Sequence, residues 1–172
     1  LSPGQTIQFS VAFAPTGAGY RTASIKCHFD SNAAQAVVSV SGVGEYAYRV
    51  NAGGGDYTDA QGRRWVSDAG FYNVGSLYST TAGIAETTME PLYQTERWDG
   101  ADTPEEMEYV FAVEPGAYAV RLHFAEIFPG NSAIGSRQFD VRINGQLALD
   151  DYDIVGDAGF QRAVVKEFFV EA

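Results

Sequence analysis

Glu126 and Asp140 are the residues of this chain whose types could carry out a reaction. Set on either side of a glycosidic bond, they would be the two carboxylates of a glycoside hydrolase. That mechanism depends on their separation in space, which sequence spacing does not set. Arg97 invites the same enzymatic reading. Asp150, Asp151, Asp153 and Asp157 form an acidic cluster that could hold Ca²⁺. No EF-hand spacing accompanies it, so a solvated acidic loop is expected, with structural Ca²⁺ as the minor alternative. His28 and His123 are isolated and no Cys-x-x-Cys pair occurs, so neither a metal cluster nor a cofactor is expected. Cys27 is the single cysteine and cannot form an internal disulfide. It alternates with Ile25 and Phe29, as a small buried apolar residue would. Gly53-Gly54-Gly55 invites a phosphate-loop reading, but no Lys-Ser/Thr follows and no helix is expected to begin there.

The elements that must position these residues read as strands. The chain has 19 Gly, 10 Tyr and 11 Phe in 172 residues, with aromatics in short runs broken by glycine, which points to an all-β fold. Ile7, Phe9, Val11 and Phe13 alternate with polar or small residues, the period of a half-buried strand. Pro15 to Gly19 breaks that strand. Ile25, Cys27 and Phe29 mark a second, Asp30-Ser31-Asn32 a turn, and Val38 and Val40 a third. Further on, Met107 to Val113 and Tyr118 to Phe124 alternate around Glu114-Pro115-Gly116, which predicts a core hairpin with a type II turn. Phe139, Val141 and Ile143 lead through Asn144-Gly145 to Leu147 and Leu149, a second hairpin. A last strand is expected over Val164 to Val170, and residues 67–91 read as an irregular loop.

Charge divides the chain. The formal net charge is −11, yet in residues 1–45 Arg21 and Lys26 offset Asp30 and Glu45. The whole excess falls beyond them, which predicts two units joined near Gly44. An acidic surface repels nucleic acid and anionic membranes, so no nucleic-acid partner is expected. No apolar run approaches the ~20 residues of a membrane-spanning helix, so no membrane insertion is expected.

Four segments in one order carry a resemblance: Val50-Asn51-Ala52-Gly53-Gly54, Leu92-Tyr93-Gln94-Thr95-Glu96-Arg97-Trp98, Tyr118 to Glu126, and Phe139 to Gln146. From about Tyr46 onward the chain resembles malectin, a β-sandwich lectin family. Residues 1–44, with Phe13-Ala14-Pro15-Thr16 and Ser41-Gly42-Val43-Gly44, resemble the end of an immunoglobulin-like repeat of bacterial surface proteins, of the abnormal-spindle type. The expected fold is therefore all-β: a malectin-like sandwich of jelly-roll type over residues 46–172, lacking its closing strands, preceded by a partial immunoglobulin-like sandwich.

The resemblance implies a non-catalytic carbohydrate-binding module for a glucose-type oligosaccharide or polysaccharide, within a larger secreted or cell-surface protein. Sugars present apolar C–H faces and polar rims, so such a site needs flat aromatic side chains with fixed hydrogen-bonding groups around them. By position in the family pattern the ligand aromatics are Trp98, Phe128 and Tyr78. Pro129 stands where the family has a second aromatic beside Phe128. Arg97 and Glu126 fall at framework positions of the family, which implies a partly buried ion pair or hydrogen-bond network rather than catalysis. The alternatives are a structural or adhesion module with a protein partner and, more distantly, part of a glycoside hydrolase.

Overall fold

A computed structural model of the chain describes residues 19–28, 35–44, 47–100 and 105–172. The expected strand over Ile7–Phe13 and the turn at Asp30–Asn32 lie outside the described residues, as do the side chains of Cys27 and His28. The chain divides into two compact units, Leu1–Ala47 and Tyr48–Ala172. In the first, β1 (Gly19–His28) and β2 (Gln35–Gly44) pair antiparallel over ten residues, from Gly19 opposite Gly44 to His28 opposite Gln35.

The second unit opens with three short strands: β3 (Val50–Asn51), β4 (Tyr57–Thr58) and β5 (Arg64–Ser67). β5 is central, parallel to β3 and antiparallel to β4. The glycine run after β3 is a packing device. Gly53 has φ +70°, and a Cβ there would run into the carbonyl oxygen of Glu96. β6 (Ser76–Ser79) pairs antiparallel with β7 (Thr95–Trp98), and the short helix α1 (Glu90–Tyr93) runs directly into β7. The expected irregular loop over residues 67–91 therefore contains a strand and the start of a helix. Its many Ser, Thr, Gly and Ala residues hid a strand of only four residues.

β8 (Ala117–Phe124) follows, then β9 (Phe139–Ile143), β10 (Gln146–Tyr152), the one-turn helix α2 (Ile154–Asp157) and β11 (Val164–Glu171). β9 and β10 form the expected hairpin, with Asn144 at φ 50° and Gly145 at φ 77° in the turn. The other expected hairpin is not formed. β8 pairs along its whole length with β11, from Ala117 opposite Glu171 to Phe124 opposite Val164. The ladder runs on past the supposed turn, because Gly116 and Ala172 exchange both backbone hydrogen bonds, at 3.0 and 2.9 Å. The stretch before it turns to residues 71–73 instead: Val110 N–H donates to Phe71 O at 2.7 Å, and Tyr72 bridges to Tyr109. A period of two reports which face is buried, not which strand lies alongside.

Alternation along β8 turns Tyr118, Val120, Leu122 and Phe124 to the half-buried face. Phe124, Phe139 and Tyr152 close a triangle of rings 5.4–5.8 Å apart, joining β8 to the β9–β10 hairpin. The buried core is Trp65, Ile84, Leu92, Tyr93 and Ile127. Trp65 and Tyr93 are thus core residues. His123 joins them, hydrogen-bonded through Nδ1 to the Tyr93 hydroxyl at 2.7 Å and edge-on to Trp65. Burial depresses the His123 pKa, with the charges of Arg121 and Arg63 adding to it. The architecture is the expected all-β sandwich, with helix limited, among the described residues, to single turns.

Candidate functional site

The β6–β7 ladder sets Tyr78 opposite Glu96 and Ser76 opposite Trp98. Residues opposite each other, and residues two apart on one strand, share a face. Tyr78, Glu96 and Trp98 therefore project from the same side, Trp98 about 7 Å along the strand from Glu96. Trp98 is 39% exposed at the end of β7. That end is pinned by Asp99, which accepts hydrogen bonds from Gly100 N–H at 2.9 Å and Met107 N–H at 3.0 Å.

Phe128 arrives from the loop after β8. It caps a single 3-10 turn, Pro129–Asn131, and its carbonyl accepts from Asn131 N–H at 2.9 Å. Pro129 fixes the first backbone angle of that turn. Gly130 must be small, because a Cβ there would strike the Phe128 ring. Phe128 is 41% exposed, and its ring meets Tyr78 edge-to-face at 5.2 Å and 88°. Tyr78 rests in turn on the core cluster. Of the three expected site residues, the fold brings Tyr78 and Phe128 into contact and sets Trp98 on the face that carries Tyr78.

A polar cluster adjoins these rings. Glu126 is 1% exposed, and its Oε1 accepts the Phe128 N–H at 2.9 Å. Arg137 Nη1 lies 3.3 Å from Glu126 Oε2 and 3.5 Å from Glu96 Oε2. With the Asn131 amide oxygen facing Arg137, Nε and Nη2 donate to it at 2.8 and 2.9 Å. Glu96 Oε1 and Glu126 Oε2 are buried and accept no hydrogen bond. Burial pushes the pKa of both carboxyls up, against the opposing pull of Arg137; for Glu126 the Phe128 N–H also opposes it. Sequence reading missed Glu96, Asn131 and Arg137 as parts of the site. Glu96 stood in the matched Thr-Glu-Arg segment, but nothing in the pattern around Arg137 pointed to it.

Arg97 belongs to a second, separate network. Its Nε and Nη2 grip Asp68 at 2.6 and 3.1 Å, Nη1 donates to Gly75 O at 3.0 Å, and the guanidinium sits 3.4 Å over the Tyr72 ring. Gly53 N–H and the Tyr109 hydroxyl also donate to Asp68 Oδ2, at 2.8 and 2.9 Å. Burial works to raise the Asp68 pKa, but these donors outweigh it and hold the carboxyl below its usual range. Both Asp68 and Arg97 are nearly inaccessible, so this network holds β5, β7 and the residue 109 segment together.

The carboxylates considered for catalysis have unlike surroundings. Glu126 is buried, whereas Asp140 is exposed on β9, accepting from Asp151 N–H at 3.0 Å and facing Arg142 at 3.7 Å. In the acidic cluster, Asp153 accepts from Gly156 and Gly135 N–H, and Asp157 pairs with Lys166 at 2.8 Å and the Tyr152 hydroxyl at 2.7 Å. Among the described residues no three His, Cys, Asp or Glu side chains gather as metal ligands.

A β-sandwich with partly exposed aromatics on a strand pair and a neighbouring loop, beside a buried polar cluster, has the build of a carbohydrate-binding-type module. Comparison with known proteins gives it a family. The Malectin domain model matches residues 46–171, and the chain belongs to the malectin family. Malectin of Mus musculus is 35% identical over 135 residues, covering 74% of this chain and 44% of that protein. A probable receptor-like protein kinase of Arabidopsis thaliana is 35% identical over 150 residues, covering 73% of this chain and 17% of the kinase. The chain thus spans less than half the length of these relatives. Among solved structures, the ANX2 ectodomain from Arabidopsis thaliana aligns with TM-score 0.62 at 24% identity, over 72% of this chain and 38% of that one. A Bacteroides uniformis beta-glucuronidase aligns with TM-score 0.60 at 20% identity, over 95% of this chain and 20% of that one. At these identities the structural likeness concerns the fold alone. No helix among the described residues is long and apolar enough to cross a membrane.

Proposed function

We propose that the unit over residues 46–172 is a non-catalytic glycan-binding module that takes a glucose-type oligosaccharide or polysaccharide on Tyr78, Phe128 and Trp98. The observation that carries this reading is the edge-to-face contact of Tyr78 with the exposed Phe128 ring, on the face that also presents Trp98. Half-exposed rings held by a rigid sandwich offer apolar faces to sugar C–H groups, while neighbouring polar groups serve the hydroxyl rim. The buried position of Glu126 supports a structural rather than catalytic role for it. Residues 1–44 act as the end of an immunoglobulin-like spacer, in a larger secreted or surface-attached bacterial protein.

Pro129, in place of a second aromatic, favours the other reading: a structural or adhesion module with a protein partner. Calorimetric titration with glucose-containing disaccharides separates the two. A shallow platform should bind them with a Kd on the order of 10 µM to 1 mM. Trp98→Ala should remove most of that binding with little change in Tm. Equal affinity in both proteins would take Trp98 out of the site, and absence of binding to any glycan would favour the adhesion module.

A further inference from the structure

Two carboxylates beside the Tyr78–Phe128 pair share one guanidinium. Arg137 Nη1 is placed between Glu96 and Glu126, and its other edge, Nε and Nη2, is taken by Asn131. With both carboxyls ionised, the cluster holds one more negative charge than positive. Asp153 adds another carboxylate that acts on Glu126 through space. Arg137 has both edges committed, so it has no open fork for the bidentate pair that recognises a carboxylate or sulfate. The cluster is also tied to the platform. Glu126 holds the Phe128 N–H, and Glu96 is the cross-strand partner of Tyr78.

We propose that the Glu96–Arg137–Glu126 cluster is a charge filter for the glycan site, admitting neutral and amino sugars and rejecting uronic acids and sulfated sugars. This rests on the glycan-binding reading above. In a partly desolvated site an uncompensated negative charge repels an anionic sugar far more than it would in water. An ammonium group meets the opposite field. Glu96 Oε1 and Glu126 Oε2 accept no hydrogen bond, which leaves the negative charge of the cluster less compensated.

The charged groups facing the cluster are Glu96 from β7, Glu126 from the loop after β8, Arg137 ahead of β9, and Asp153 at the start of α2. Burial keeps the two Glu carboxyls protonated to higher pH than free Glu. The filter therefore strengthens as pH rises through their titration, a signature that a shape-based preference would lack.

The experiment titrates the protein with three oligosaccharides of equal length and linkage, built from glucose, glucosamine or glucuronate. It is done at several pH values from about 4 to about 8, a range in which Arg137 stays charged. At the highest pH the glucuronate oligomer should bind at least about tenfold more weakly than the glucose oligomer, and the glucosamine oligomer at least as tightly. The gap should narrow toward the lowest pH. In Glu96→Gln and in Glu126→Gln the glucuronate-to-glucose affinity ratio should move toward one. Reading a ratio cancels any loss common to all ligands. Equal affinity for glucuronate and glucose in the wild type, or a gap that neither substitution changes, overturns the filter and leaves the glycan-binding reading standing. Failure of all three to bind overturns both.

Discussion

Phe128 and Glu126 are joined across two residues: the main-chain N–H of the exposed ring donates, at 2.9 Å, to a carboxylate that is itself 1% exposed. A surface aromatic is thus held by a buried charge, and the two ends of this bond should respond to mutation with very different costs. Glu126→Ala leaves the Phe128 N–H without its acceptor and takes one of two paired carboxylates from Arg137, and should cost about 3–5 kcal/mol, as expected when one partner of a buried pair is removed. Phe128→Ala removes only a half-exposed ring and should cost about 1 kcal/mol or less. Urea denaturation of both variants measures the difference. Equal costs would mean that Glu126 does not anchor the loop.

Stability should peak in mildly acidic solution. Glu96 and Glu126 have folded pKa values raised above the ordinary Glu value, chiefly by burial. The folded state therefore binds their protons more tightly than the unfolded chain does. Their contribution is complete below the unfolded pKa and is lost as pH climbs through the folded one. Asp59 is the reverse case. Burial works to raise its pKa, but donors from Arg63 and Trp65 bring it down to about 2. Its contribution is present above the unfolded value and is lost as pH falls toward about 2. Urea midpoints across the acid-to-neutral range should trace a dome, and Glu96→Gln should flatten its high-pH limb. A midpoint that rises steadily to neutral pH would contradict this.

Two glycines with the same backbone demand separate packing from conformation. Gly53 and Gly62 have φ +70° and +76°, but a Cβ would strike the Glu96 carbonyl oxygen at Gly53 and meet nothing within 4 Å at Gly62. Gly62→Ala should cost only the price of the left-handed conformation, about 1 kcal/mol. Gly53→Ala adds overpacking against β7 and should cost about 2–4 kcal/mol in total. Because β7 carries Glu96 and Trp98, it should weaken glycan binding as well. Equal stabilities in the two variants would show that the chain accommodates a Cβ beside Glu96.

Period-two alternation made β8 and β9 legible, because each has one half-buried face, and Asn144-Gly145, which adopts the left-handed turn those residues favour, marked β10 as the return strand of a hairpin. Pairing was not legible. The choice of β11 over residues 107–113 as the partner of β8 is a long-range decision, made by contacts such as Gly116 with Ala172 that no local pattern encodes. The site divides in the same way. Trp98, Phe128 and Tyr78 are candidates by family pattern, and the fold sets Tyr78 against Phe128. Arg137 becomes meaningful only when folding brings Glu96 from β7 together with Glu126 and Asn131 from the loop after β8.

Direct contact between Tyr78 and Phe128 leads to a prediction about coupling. Their rings meet edge-to-face at 5.2 Å, a geometry worth about 0.5–1.5 kcal/mol beyond buried area. Tyr78→Leu and Phe128→Leu should therefore be non-additive. The second substitution should cost less once the first is made, both in stability and in affinity for a bound disaccharide. Trp98 stands on β7 with Ser76, not Tyr78, as its cross-strand partner. Trp98→Ala should accordingly lower affinity by nearly the same factor in the wild type and in Phe128→Leu, within about 0.5 kcal/mol, as expected for residues that do not touch. Two double-mutant cycles, Tyr78 with Phe128 and Trp98 with Phe128, measured by calorimetric titration and urea denaturation, decide it. Coupling in the first cycle and additivity in the second mark Tyr78 and Phe128 as one unit of the platform and Trp98 as another. Strong coupling in the second would mean that all three rings close on the ligand together.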